Sequence, residues 1–414
     1  MTEAVGPLDG IRILDLTRVL AGPVATQLLG DLGADVVKVE RPGAGDDTRA
    51  WGPPYLKSAD GDEPGESAYY LSCNRNKRSL TIDLAKPAGR DLVRALAAQA
   101  DVLIENFKVG DMARYGLAYR DLAPALPGLV YCSISGFGQT GPYAAQPGYD
   151  FMVQGLGGVM SITGEPDGAP MKVGVAVADV VCGLYAATAI LAALRHRDGV
   201  RRRGEAGGGQ HIDLGLLDTQ VAWLVNQGMN YLVSGQPPQR LGNAHPNIVP
   251  YQVFAAADGY IIVAVGNDGQ FRRLMSALGA PGLADDPAYA TNAARVRQRE
   301  ALVPILEALI RSKPAGHWLE TLTAQGVPCG PVNAIDQVFA DPQVRAREMR
   351  ITMHHPRAAD GEVALIGNPI RLSASPVIYR RPPPTLGEHT EAALADWLAL
   401  STDEIARLRQ QGVF

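Results

Sequence analysis

One carboxylate stands where a carboxylate is costly. Between Lys172 and Arg195 the chain reads VGVAVADVVCGLYAATAILAAL, 22 residues in which Asp179 is the single group ordinarily charged at neutral pH. Burying an unpaired charge costs several kcal/mol or more, so such a group is either fixed by its surroundings or used. The Val-rich stretch before Asp179 reads as extended and the Ala/Leu stretch after it as helical. That makes Asp179 an N-cap candidate, worth about 1 kcal/mol, whose charge the helix dipole would favour. An ionised carboxylate on a strand-to-helix turn is also a competent nucleophile. From the local pattern alone, cap and nucleophile both stay open. Cys182 lies one turn further on and reads as a small buried residue.

Other constellations are weaker. Cationic residues gather on loops that follow the early apolar strands: Arg18, Arg41, Arg49, Arg75, Lys77, Arg78, Lys108 and Arg114. In a doubly wound sheet those loops form the ligand crevice, and arginine there suits phosphate. GFGQTG at 136–141 fits G-x-G-x-x-G, but Pro142 and Pro147 leave no room for a following helix. The loop TRVLAGP holds one glycine, so a nicotinamide-enzyme reading is disfavoured even though Glu40 ends the second strand. No Ser–His–Asp set, P-loop or H-E-x-x-H stands in the chain. The four cysteines are far apart, without CxxC or a nearby histidine at ligand spacing, so no metal site is expected and reduced thiols in a cytoplasmic protein are.

Composition narrows the class. The chain has 414 residues, 46% hydrophobic and 20% charged, with a net charge of −5. This is a globular protein with ample core and more than one domain. No basic tail or polybasic run points to nucleic acid or to an anionic membrane. The Arg195–Arg203 cluster reads as a solvated, Gly-rich hinge. MTEAVGPLDG lacks the features of a signal peptide. The 173–194 run meets the bare length test for a membrane span, but Asp179 and the absence of a second span favour a buried core helix.

The elements that must position these groups follow from periodicity. IRILDL (11–16), a helix over 24–33 ending at Gly33, and ADVVKVE (34–40) form a βαβ unit. SLTIDL (79–84), a helix over 89–100, DVLIENF (101–107), a helix near 111–124 and GLVYCSIS (128–135) continue it, then a helix over 173–197 and a strand leading into a helix in QHIDLGLLDTQVAWLVNQ. Past residue 225 the texture changes: YQVFAAADGYIIVAV (251–265) reads as a hairpin, followed by helices near 270–279 and 297–324. MRITMHHP, VALIGNPIRL and a closing helix pair end the chain. The expected division is a large domain from 1–205, a linker helix at 206–224, a small α+β domain at 225–335, and a return to the large domain over 336–414.

Taken in order, PLDGIRILDLTRVLAGP, GADVVKVERPGAGDDTR, NRNKRSLTIDL, DVLIENF, GFGQTGPY, GYDF, VADVVCGLYA, GNAHPNIVPYQVF, GVPCGPV and PTLGEHT resemble the class III CoA-transferases, the CaiB/BaiF family. ERPGAGDDTRAWGPP and GNAHPNIVPYQVF are most similar to its dicarboxylate branch, which exchanges CoA between succinyl-CoA and glutarate. The resemblance implies a large Rossmann-like parallel-sheet domain built from both chain ends, a smaller inserted α+β domain, and two chains interlocked as a homodimer. It implies Asp179 as catalytic aspartate, forming an aspartyl-CoA thioester, with an acyl-CoA and a free acid as substrates and no metal, ATP or redox cofactor. Val19, Leu20 and Ala21 match a CoA-contacting loop. Arg41 follows the second strand, where CoA phosphates or adenosine are held. Asn106, Phe107 and Lys108 match the pocket segment and Arg114 a further CoA contact. Asn74, Lys77, Arg78, Gly136, Phe137 and Gly138 complete the CoA-side candidates, the glycines as oxyanion donors. Arg49, Tyr149, Lys172, Asn243 and His245 are candidates for the acid substrate.

Two departures bear on the acceptor. Leu20 and Ser135 stand where formyl-CoA–oxalate transferases have Gln and Lys, and the tetraglycine lid of those enzymes is absent, which weighs against oxalate. The family also holds α-methylacyl-CoA racemases. Tyr149 replaces the histidine of their His–Asp pair, which removes one base needed for inversion.

Overall fold

The structure is a computed structural model and describes residues 5–58 and 65–414. Six strands form one sheet: β1 (Arg12–Asp15), β2 (Asp35–Glu40), β3 (Lys77–Thr81), β4 (Val102–Glu105), β5 (Val130–Ser135) and β6 (His211–Gly215). Their order is β3-β2-β1-β4-β5-β6 and every pairing is parallel. This is the doubly wound order of dinucleotide-binding sheets, and its direction reverses between β1 and β4. The α/β class expected from the βαβ periodicity is what the chain forms.

The inner strands β1, β4 and β5 are largely apolar on both faces because helices cover both. Leu14, Val37, Leu80, Leu103 and Tyr131 face the helix Pro87–Gln99 and the C-terminal helices Thr390–Leu398 and Thr402–Gln410. Ile13, Val36, Val102, Ile104 and Cys132 face Ala21–Asp31 and the long helix Val177–Arg202. These two helices pack closely because Gly183 has no side chain: a Cβ there would lie 2.6 Å from the Ala21 carbonyl oxygen.

The chain divides into two compact units: Met1–Val159 with Val173–Met229 and Arg345–Phe414, and Met160–Lys172 with Asn230–Val344. The first carries the six-stranded sheet and an antiparallel hairpin, β10 (Arg350–His354) with β11 (Glu362–Ile366). The second has its own core, in which Phe254, Val263, Phe271, Leu306 and Leu322 are buried. Its sheet is antiparallel, β7 (Tyr251–Ala255), β8 (Tyr260–Ala264) and β9 (Cys329–Pro331).

Three local readings change. The expected helix near 111–124 is two single turns, Asp111–Arg114 and Tyr119–Leu122. Gly116 between them has φ +67°, outside the helical range. The 297–324 segment is broken at Pro314, which lacks an N–H, into Arg299–Arg311 and Ala315–Ala324. The Arg195–Arg203 cluster is no hinge. The long helix runs through it to Arg202, and Arg197 is buried with its Nη1 2.7 Å from Asp101 Oδ1.

Candidate active site

The loops after β1 and β4 flank the point where strand order reverses, and one side chain staples them. Asn106 Oδ1 accepts the Arg18 N–H at 3.0 Å and Asn106 Nδ2 donates to the Arg18 carbonyl at 2.8 Å. Beside this staple opens a cavity of about 440 Å³. Val19, Leu20, Ala21, Trp51, Asn106, Phe107, Lys108, Ser135, Gly136, Tyr149 and Asp179 line it. The expected nucleophile and the expected CoA-contacting loops therefore share one wall. Gly136 and Gly148 cross so closely there that a Cβ on either would lie 2.5 Å or less from the other's Cα. Glycine is required at both positions.

Asp179 is not a cap. The helix begins at Val177, its N-cap is Ala176, and Asp179 lies in the first turn. The cap comes from elsewhere: Asp150 Oδ1 accepts the Ala178 N–H at 2.9 Å, while its Oδ2 accepts Gln154 Nε2 at 2.8 Å. Nor does the helix start keep Asp179 charged at low pH. Burial, reinforced by the negative charge of Asp150, pushes its carboxyl up to about 7. Loss of water and that neighbouring charge outweigh the helix start. At neutral pH the group is poised between acid and carboxylate. Burial also pushes Cys182 up to about 12, so its thiol is neutral and no rival nucleophile.

A second cavity, of about 340 Å³, lies across Phe107, which lines both. Arg18, Arg41, Asp83, Phe107 and Tyr115 are among its walls, and Arg41 is exposed there. Arg114 is solvent-exposed, paired with Asp111 at 3.1 Å and stacked over Tyr115. Phe107 divides the two cavities, and Arg41 is the exposed cation of the second, whose walls also hold Asp47, Asp83 and Asp111.

Several expected contacts are committed elsewhere. Lys77 is fully buried, donating to Pro23 O at 3.0 Å and Asn74 Oδ1 at 2.9 Å, with Asp15 Oδ2 at 3.3 Å. Asn74 is equally buried and donates to Tyr70 O. Arg78 bridges Asp35 and Asp396. Arg49 is likewise committed. Its guanidinium pairs with Glu40 and Glu66 and lies over Tyr70 at 3.7 Å. Lys77 and Arg78 lie in β3 itself and not on a loop after a strand, and all three cations turn onto carboxylates of the same unit. Glu40, which ends β2 where a ribose-binding acid would sit, is the acceptor of Arg49 and Ser79.

The glycine loop also differs. Phe137 packs on Tyr143. The Gly136 carbonyl accepts the Leu217 N–H, and the Gln139 N–H goes to both oxygens of Asp213 at 3.0 Å. Gly138 faces the carboxylates of Asp213 and Asp218, which oppose an oxyanion. Lys172, Asn243 and His245 belong to the second unit. There His245 has its carbonyl bound by Arg299 at 2.6 Å, and burial and that arginine both lower its pKa. A neutral imidazole is no counter-ion for a carboxylate.

Sequence reasoning missed four groups. Asp150 carries no local signal, since the N–H it caps is 28 residues away. Trp51 and Tyr69 meet edge-to-face at 5.3 Å beside the cavity, and burial and then the charge of Asp179 raise the Tyr69 phenol to about 12. Glu105, at the end of β4, accepts the Phe107 N–H at 2.8 Å and is pushed by burial up to about 7.

Comparison with known proteins bears on this geometry. The model of CoA-transferase family III matches residues 8–390. The succinate–glutarate CoA-transferase of Agrobacterium fabrum is 55% identical over 391 residues, 94% of this chain and 95% of that protein. The succinyl-CoA:glutarate CoA-transferase of Homo sapiens is 43% identical over 409 residues, 99% of this chain and 90% of that one. A crystal structure of a CaiB/BaiF family protein from Brucella suis superposes with a TM-score of 0.81 at 49% identity, covering 95% of this chain and 100% of that chain.

Proposed function

We infer that this chain, which belongs to CoA-transferase family III, exchanges CoA between succinyl-CoA and glutarate by way of Asp179. The observation that carries the reading is the Asp179 carboxyl in the wall of the cavity at the strand-order reversal, facing the loops after β1 and β4. Near pH 7 a useful fraction of this carboxyl is ionised, and burial leaves the carboxylate poorly solvated and hence reactive.

A carboxylate oxygen of Asp179 attacks the thioester carbonyl, forming a mixed anhydride and releasing CoA thiolate. The thiolate attacks the Asp179 acyl carbon, giving the aspartyl-CoA thioester and free succinate. Glutarate then attacks that thioester, and the freed thiolate takes the glutaryl group from the new anhydride. Atoms and charge balance at each step within the two substrates and Asp179. The half-enclosed cavity limits the water that would hydrolyse the anhydride. Arg41 at the far cavity is assigned to the CoA phosphates and Lys108 to the mouth of the near one.

The functional unit is a homodimer. Phe151, Leu156, Leu184, Tyr185, Val221 and Val225 are all at least 45% exposed on the first unit, a run of large apolar groups that a second copy would cover. Light scattering should give twice the 43.9 kDa chain mass. The reducing cytoplasm suits its four free cysteines.

The test of the reaction is direct. With succinyl-CoA and a panel of acids, mass spectrometry should find glutaryl-CoA and free succinate. No new acyl-CoA with any acid would sink this reading, and deuterium uptake at the α-carbon of a branched acyl-CoA without an acceptor would favour a racemase.

A further inference from the structure

The loop between β1 and the helix Ala21–Asp31 has an unusual hydrogen-bond pattern. From Thr17 to Val19 every backbone polar group is bonded by a side chain and none by backbone. The Thr17 N–H goes to Asp15 Oδ1 at 2.8 Å and the Thr17 carbonyl accepts Lys38 Nζ at 2.7 Å. Both groups of Arg18 go to the Asn106 amide. The Val19 N–H points at both oxygens of Asp46, at 3.1 and 3.2 Å, and its carbonyl accepts the Cys73 thiol at 3.7 Å.

Val19 itself has φ +70°. That region is uncommon for any residue but glycine and is an outlier for a β-branched one. It persists only where the surroundings over-determine it. What over-determines it is Asp46. Its side chain is fully buried against Lys38 Nζ at 2.9 Å, and Lys38 is equally buried. Although burial opposes ionisation, Lys38 holds the Asp46 carboxyl down at about 2, so it remains an anion at any working pH. The left-handed turn reverses the chain so that Leu20 becomes the N-cap and Ala21 starts the next helix. Val19, Leu20 and Ala21 thereby line the cavity that holds Asp179.

We propose that Asp46, anchored by Lys38, is a positioning residue for acyl-CoA: it holds Val19 in its left-handed conformation and so fixes the wall against which the thioester is presented to Asp179. This rests on the CoA-transferase reading and adds to it a residue that does not line the Asp179 cavity but stands in the wall of the second one. Without the anionic acceptor, Val19 relaxes to negative φ and the binding-competent loop becomes a minor state. Affinity then falls by the fraction lost, roughly tenfold to a hundredfold for such strain.

The experiment measures CoA affinity by calorimetry, with thermal unfolding and succinyl-CoA:glutarate exchange run alongside. Asp46→Asn should weaken CoA binding at least tenfold and lower the melting temperature, because Lys38 loses its counter-ion. Adding Val19→Gly to that variant should recover most of the affinity while the melting temperature stays low, since glycine adopts the turn without a clamp. Val19→Pro, which fixes φ near −65° and leaves the Asp46–Lys38 pair intact, should weaken CoA binding as strongly, and it serves if Asp46→Asn does not fold. Wild-type affinity in Val19→Pro, or a folded Asp46→Asn that glycine does not rescue, overturns the proposal. Absence of exchange in the wild type would count against the transferase reading alone, because the affinity comparison does not depend on turnover.

Discussion

The carboxylate of Asp150 accepts the backbone N–H of Ala178 at 2.9 Å, one residue before Asp179. The same group both caps the helix that carries the nucleophile and places a negative charge beside it, helping to raise the Asp179 carboxyl to about 7. Asp150→Asn keeps an acceptor oxygen but removes the charge. The Asp179 pKa should fall toward its ordinary value. Since attack needs the ionised form, the acidic limb of the kcat/KM profile should move to lower pH. An unmoved limb would show that burial alone sets the titration.

Asp179 should be costly to stability where it is useful to chemistry. Its pKa is 3.8 in an unstructured chain and about 7 when folded. Above pH 3.8 the unfolded chain ionises first, so stability falls as pH rises toward 7. Asp179→Asn should abolish exchange yet raise the melting temperature at pH 7. That gain should shrink to a small remainder near pH 4, where Asp179 is largely protonated in the folded state and about half ionised in the unfolded one. Melting curves at the two pH values check the sign.

Arg49 should prove architectural. Its guanidinium pairs with Glu40 and Glu66 in the interior, so Arg49→Ala removes the cation that these two buried carboxylates share. Breaking such a pair costs about 3–5 kcal/mol. Urea unfolding should show that loss. A stable Arg49→Ala protein with a raised KM for glutarate alone would return the residue to the substrate site.

Trp51 offers an optical report. It is 44% exposed in the wall of the Asp179 cavity, whereas Trp318 and Trp397 are buried and Trp223, though exposed, does not line that cavity. Titration with CoA should change the tryptophan emission, and Trp51→Phe should remove most of the change.

The sequence by itself determined the α/β class and the candidate nucleophile. Strand, helix and strand followed from apolar period and length, and a lone carboxylate in an apolar run announced itself because desolvated charge is rare. Ordered segments such as DVLIENF and VADVVCGLYA pointed to the family now matched over residues 8–390. Tertiary structure alone decided which charges face the ligand. Lys77, Arg78 and Arg49 resemble Arg41 in sequence context, yet they are buried against Asp15, Asp35 and Glu40, while Arg41 is exposed. Pairing depends on which segments the sheet brings side by side, and no period or spacing encodes that. The state of Asp179 was decided the same way. Local pattern suggested that Asp179 is a cap held ionised by its helix, but the cap is Asp150, and burial with that neighbouring charge raises the Asp179 pKa instead.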